Sequence, residues 1–221
     1  MYLKEEVLKV QDLLKDLQKS LLSSARKHLG IIIPGYTHLQ HTQPLLFSHH
    51  LMAYFYMSER DKGRMQDLYK RIDVLPLAYN HDMQEDKEPL FDTVSILETS
   101  LFLMSKMKET MQVNKEKIEK STKGDFSTAT ELADYLVKKG LSFREAHKLV
   151  GGMVIYCLEN KKNLEDLTLL EMKFFHNNFT EKALEILKPQ SAVETKDSFG
   201  GTSLKRVKES IVKAKQILKE K

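Results

Sequence analysis

Two short polar segments in this 221-residue chain hold the side chains best suited to chemistry, GYTHLQ at 35–40 and AYNHDMQEDKE at 78–88. In the first, Thr37, His38, Gln40 and Gln43 crowd together between Pro34-Gly35 and Pro44. An imidazole can take or give a proton near neutral pH, and a neighbouring hydroxyl and amide can hold the group it acts on. In the second, Tyr79, Gln84 and Lys87 offer a phenol, an amide and an ammonium among acidic neighbours. A plainer reading stands beside each. His38 could be a satisfied loop histidine, and Tyr79, Gln84 and Lys87 the polar start of a helix, with the acidic residues of Gln84-Glu85-Asp86 favoured there by the helix dipole.

Other candidate groups point away from metals and cofactors. His49-His50, with His41 nearby, has no carboxylate or cysteine to complete a coordination set, so helix packing accounts for these histidines better than a metal site does. The single cysteine, Cys157, excludes an internal disulfide and a thiolate zinc site and fits a reducing, cytoplasmic setting. The glycines at 151, 152, 200 and 201 form no phosphate-cradling pattern. No cofactor is expected.

The elements that must position these groups read as helices. Leu3, Val7, Val10, Leu14, Leu17 and Leu21 recur at spacings of four and three, the seam of a helix that packs against near-parallel neighbours. Pro34-Gly35 reads as the end of that helical region and Pro44 as the start of the next, which leaves 35–43 as a loop aiming side chains into a cleft. The following helix is apolar around much of its girth through Leu45, Leu51, Met52, Phe55 and Met57, and Gly63 predicts a fray or bend. A third begins near Pro89, with Leu90, Val94, Leu97, Leu101, Met104 and Met111 on its seam. The charged stretch 115–124 reads as a linker. Ser127 or Thr128 can cap a helix ended by Gly140, and Ser142 with Glu145 forms a capping box for another. Short helices over 167–175 and 180–187, a loop through Pro189 and Gly200-Gly201, and a last helix from Ser203 complete the chain. No alternating run of β-branched residues predicts a sheet. The fold expected is all-α, a long-helix bundle over 1–113 with a junction near 75–78, then a small helical domain over 114–221.

Charge and hydropathy limit the partners. Lys and Arg number 35 against 31 Asp and Glu, a formal +4 spread along helices without a basic run, so no nucleic-acid partner is expected. No apolar run nears the roughly 18 residues that span a bilayer, so no membrane is expected either.

At these motifs the chain resembles argininosuccinate lyase, of the fumarase/aspartase superfamily. GYTHLQHTQPLLFSHHLMAYF (35–55) is similar to the region bearing the superfamily's active-site histidine, and LPLAYNHDMQEDKEPLFD (75–92), FSTATELADYLVKKGLSFREAHKLVG (126–151) and DSFGGTSLKRV (197–207) resemble the argininosuccinate branch. The resemblance implies a long-helix bundle that assembles as a homotetramer, each active site drawing on three subunits. It implies cleavage of argininosuccinate to arginine and fumarate, in arginine biosynthesis. By the same resemblance Thr37 and His38 are the catalytic pair, and Tyr79, Gln84, Lys87 and Gln40 contact the substrate. The departures matter as much. The family's Gly-Ser-Ser and Met-Pro-Gln-Lys-Lys-Asn loop strings occur nowhere in the chain, and the proposed serine base, the loop lysine and the acidic partner of the histidine go with them. The family's N-terminal domain has no counterpart either, and Leu75-Pro76-Leu77 looks like the scar of an internal deletion. Two classes are thus expected: a lyase impaired as a single chain, or a non-catalytic helical scaffold or remnant. The loss of helices against which the seams should pack predicts self-association.

Overall fold

The four-three seam of the first segment folds as expected into α1 (Tyr2–Lys27), with Val7, Val10, Leu14 and Leu21 buried. The computed structural model describes residues 2–72, 87–122, 124 and 126–219. It separates into two compact units, each assembled from distant stretches of chain: one from residues up to Lys27, His50–Gln112 and Ser210 onward, the other from His28–His49 and Val113–Glu209.

The first unit contains α1, most of α2 (Phe47–Arg71), α3 (Lys87–Thr110) and the end of α10 (Leu204–Leu218). The direction of each helix follows from its contacts. Gln18 of α1 donates to the Glu59 carboxylate of α2 at 2.8 Å, and Lys4 lies 5.0 Å over the Tyr69 ring, so α1 and α2 run antiparallel. Tyr2 packs edge-on against Phe91, with centroids 4.8 Å apart, and Val10 and Leu14 cluster with Leu101, so α1 and α3 run parallel. Gly63 does not end α2, which continues to Arg71. The helix after the second motif starts at Lys87, two residues before the proline expected to open it. The junction near 75–78 lies outside the described residues.

The second unit holds an antiparallel hairpin, β1 (Ile32–Thr37) and β2 (Gln40–Leu46), with α4 (Lys115–Ser121), α5 (Ala129–Lys138), α6 (Phe143–Glu159), α7 (Leu169–Phe175), α8 (Glu181–Ile186) and α9 (Pro189–Glu194). Its core joins Leu132 and Leu136 of α5 to Val150 and Met153 of α6, Met172 of α7 and Phe179. Gly140, at φ 101°, follows α5 in the left-handed conformation that suits glycine. Ser142 and Glu145 form the reciprocal capping box that opens α6, while Thr128 stands at the start of α5 without a side-chain cap bond.

Three expectations fail here, each for a local reason. The segment 35–43 is a hairpin and not a loop, and Pro44 sits within β2, with α2 starting only at Phe47. Pro34 faces Pro44 across the pair, a placement open to proline because a two-stranded sheet is all edge and neither ring is asked to donate. The supposed linker is helical over Lys115–Ser121, its first turn held by the Asn114 side chain accepting from the Lys117 amide. Pro189 opens α9, where Ala192 and Val193 are buried.

Candidate active site

The hairpin places the first motif. Ile32 pairs with Leu46, Ile33 with Leu45, Tyr36 with His41 and Thr37 with Gln40, which leaves His38 and Leu39 as a two-residue turn. Both have positive φ, 48° and 64°, as a tight type I′ connection requires. Histidine tolerates this region better than most residues. Leucine does not, and the left-handed conformation costs it about 1–2 kcal/mol. The turn carries this strain with Leu39 91% exposed, so no burial of its side chain offsets it.

Thr37, His38 and Gln40 are all exposed, and among the described residues no side-chain hydrogen bond or ion pair engages them. They share one tip and project from a braced scaffold. The Tyr36 hydroxyl lies 2.7 Å from His41 Nε2, and the Thr42 hydroxyl donates to the Gly35 carbonyl at 3.2 Å. At the base the Phe47 amide donates to the Ile31 carbonyl at 2.8 Å, and the Leu46 amide donates to Thr202 Oγ1 at 2.8 Å.

Thr202 ties the hairpin to the 197–207 motif, a link that sequence reasoning missed because the partners stand 156 positions apart. The motif is itself fixed. Asp197 accepts from Ser203 Oγ at 3.1 Å and meets Arg206 Nε at 3.1 Å; the Ser203 hydrogen bond and then the Arg206 and Lys205 charges hold its carboxyl below the usual carboxylate range. Just upstream, buried Glu131 of α5 accepts from Thr195 Oγ1 at 3.2 Å and from the Lys196 ammonium. A line of polar contacts thus runs from α5 through the 195–203 segment to the hairpin's second strand.

The other candidates fall elsewhere. Tyr79 and Gln84 lie outside the described residues. Lys87, the first residue of α3, is exposed and belongs to the first unit, whereas Thr37, His38 and Gln40 belong to the second. His41 is engaged by Tyr36, and His50 packs edge-on against Tyr54 with centroids 5.1 Å apart. Among the described residues no cluster of three or more histidine, cysteine or acidic side chains is placed to hold a metal ion, and no helix is long and apolar enough to cross a membrane.

A lyase family model matches residues 1–79, and an argininosuccinate lyase C-terminal model matches 126–194. The chain is 32% identical to argininosuccinate lyase of Symbiobacterium thermophilum over 338 positions, which take in 99% of this chain and 73% of that protein. It is also 32% identical to the Geobacter metallireducens enzyme over 335 positions, 97% of this chain and 73% of the relative. A 221-residue chain cannot occupy 338 positions, so more than a hundred positions of the relative face no residue here. The fold is also that of an EDDS lyase variant with bound fumarate, at TM-score 0.85 and 17% identity, covering 99% of this chain and 69% of that one. A β-carboxy-cis,cis-muconate cycloisomerase from Acinetobacter calcoaceticus aligns at TM-score 0.68 and 13% identity, over 97% of this chain and 73% of that one. The hairpin motif, the α5–α6 segment and an identity of 32% sustained along almost the whole chain lead to one assignment: the chain belongs to the argininosuccinate lyase family.

Proposed function

We propose that this chain supplies one part of an argininosuccinate lyase active site and does not turn over argininosuccinate alone. The observation that carries this reading is the hairpin tip, where Thr37, His38 and Gln40 stand exposed and unengaged on a scaffold braced at its base. The reaction is an elimination. A base removes the proton from the carbon next to a carboxylate, the electron pair forms the new carbon–carbon double bond of fumarate, and an acid protonates the departing guanidino nitrogen to give arginine. The His38 imidazole suits proton transfer, and the Thr37 hydroxyl and Gln40 amide can donate to the carboxylate as charge builds on it. In the same reading Tyr79, Gln84 and Lys87 hold the substrate.

The serine-bearing loop of the family is absent from the sequence, so the base must come from another subunit. Assembly with a full-length subunit, in the tetramer that the family forms, supplies it in this account, in a cytoplasmic setting that the lone, buried Cys157 suits. No cofactor takes part. The scaffold reading draws on a different observation: α3 exposes Ile96 (67%), Phe102 (52%) and Met107 (63%), apolar surface suited to other helices whether or not chemistry occurs. Mixing the chain with a full-length relative lacking the counterpart of His38 separates the two. Restored fumarate release supports the lyase reading, and co-assembly without turnover supports the scaffold.

A further inference from the structure

We infer that the groove between α1, α2 and α3 is a binding site for a single-chain amphiphilic carboxylate of about a dozen carbons, with Lys108 and His50 receiving its head group. The groove has a volume of about 620 Å³. Its floor is aliphatic, formed by Leu14, Leu17 and Leu21 of α1 and Leu97 and Leu101 of α3. From Val10 to Leu21 it follows α1 for about 16 Å at 1.5 Å per residue, the reach of an extended alkyl chain of that size.

The helix directions give the groove a polarity. Because α2 opposes α1 and α3 runs with it, His50 at the start of α2 and Lys108 at the end of α3 meet beside Leu21, while Met65 and Leu97 mark the opposite end. Burial holds the Lys108 ammonium below its ordinary pKa, and burial together with the Lys108 charge lowers His50. Among the described residues no carboxylate offsets this. Among those residues Lys108 reaches only the Met111 sulfur, at 3.9 Å, and Asp61, the one acidic residue of them that lines the groove, is paired with Arg64. An apolar trough that ends in the Lys108 ammonium and the His50 imidazole, with neither paired to a carboxylate among the described residues, is complementary to a fatty carboxylate in shape and in charge.

The test is isothermal titration of the purified chain with dodecanoate below its micellar range, beside dodecanol and dodecyltrimethylammonium. One saturable site is expected, with dodecanoate at least tenfold tighter than dodecanol and the cation weakest. Affinity should rise about fourfold per added methylene up to a dozen carbons and then level off. Lys108→Glu should weaken dodecanoate tenfold or more, and Lys108→Met should do so less, with circular dichroism confirming that both variants fold. Equal binding of acid and alcohol, many weak sites, or an unchanged affinity in Lys108→Glu would overturn the assignment. So would a self-associated form, seen by sedimentation, that takes up no dodecanoate.

Discussion

Gly35→Ala adds one methyl group where the hairpin has least room. Pro34 faces Pro44 and Tyr36 faces His41, so Gly35 alone lies opposite both Thr42 and Gln43, at a bulge. A Cβ there would stand 2.9 Å from the Gln43 carbonyl oxygen and 3.0 Å from Leu45 Cδ2. The leucine methyl can rotate away, but the carbonyl belongs to the backbone of β2, so the strand itself must shift by a few tenths of an ångström. Such overpacking costs about 1–3 kcal/mol. The shift also strains the Thr42 bond to the Gly35 carbonyl, worth about 0.5–1.5 kcal/mol. Against this, alanine restricts the unfolded chain by about 0.4–1 kcal/mol. Destabilisation wins, at about 1–2 kcal/mol net, and should lower Tm by about 2–8 °C.

Gly63→Ala is the internal control, since Gly63 lies within α2 with open space where a Cβ would go. The same chemical change should there stabilise by about 0.5–1 kcal/mol through helix propensity. Thermal unfolding followed by circular dichroism, with amide exchange on β2, reads both. A Gly35→Ala protein that melts at or above the parent temperature would refute the reasoning, as would equal shifts in the two variants.

Three further outcomes follow from the second unit. Lys196→Met leaves the Glu131 carboxylate, only 4% exposed, without its cation and should cost about 2–3 kcal/mol in denaturant unfolding. Ser142→Ala removes the capping hydroxyl of α6 and should cost about 1 kcal/mol, with loss confined to amide protection in the first turn of that helix. The Lys162 hydrogen bond and then the Thr168 amide and hydroxyl hold the Glu171 carboxyl at about 2, below its ordinary 4.5. A depressed carboxyl gives stability that is fully present above the unfolded value, so Tm should fall as pH drops from 4.5 toward 2. Lys162→Met should flatten that fall, and an unaltered acid profile would contradict the assignment.

The helices were legible where periodicity and caps agree. The seam of α1, the Ser142–Glu145 box and Gly140 are local signals, and tertiary packing endorsed them. The hairpin was not legible, because Pro34, Gly35 and Pro44 break the alternation that marks a strand, and what holds the pair is remote: the Thr202 hydroxyl at its base. The helix over Lys115–Ser121 was hidden by composition, with Ile118 its lone apolar residue, although Asn114 was an available cap signal. At the candidate site, family resemblance pointed to Thr37 and His38, whereas the place of His38 in a strained two-residue turn directly after Thr37 depends on backbone geometry that no spacing rule encodes.

The most direct measurement is fumarate release from argininosuccinate by the purified chain, alone and after co-assembly with a full-length relative that lacks the counterpart of His38. The account predicts no turnover alone, turnover in the mixture, and loss of that turnover when the chain bears His38→Ala while circular dichroism shows that it remains folded and sedimentation that it still co-assembles. Turnover by the chain alone, or turnover in the mixture that survives His38→Ala, would contradict it.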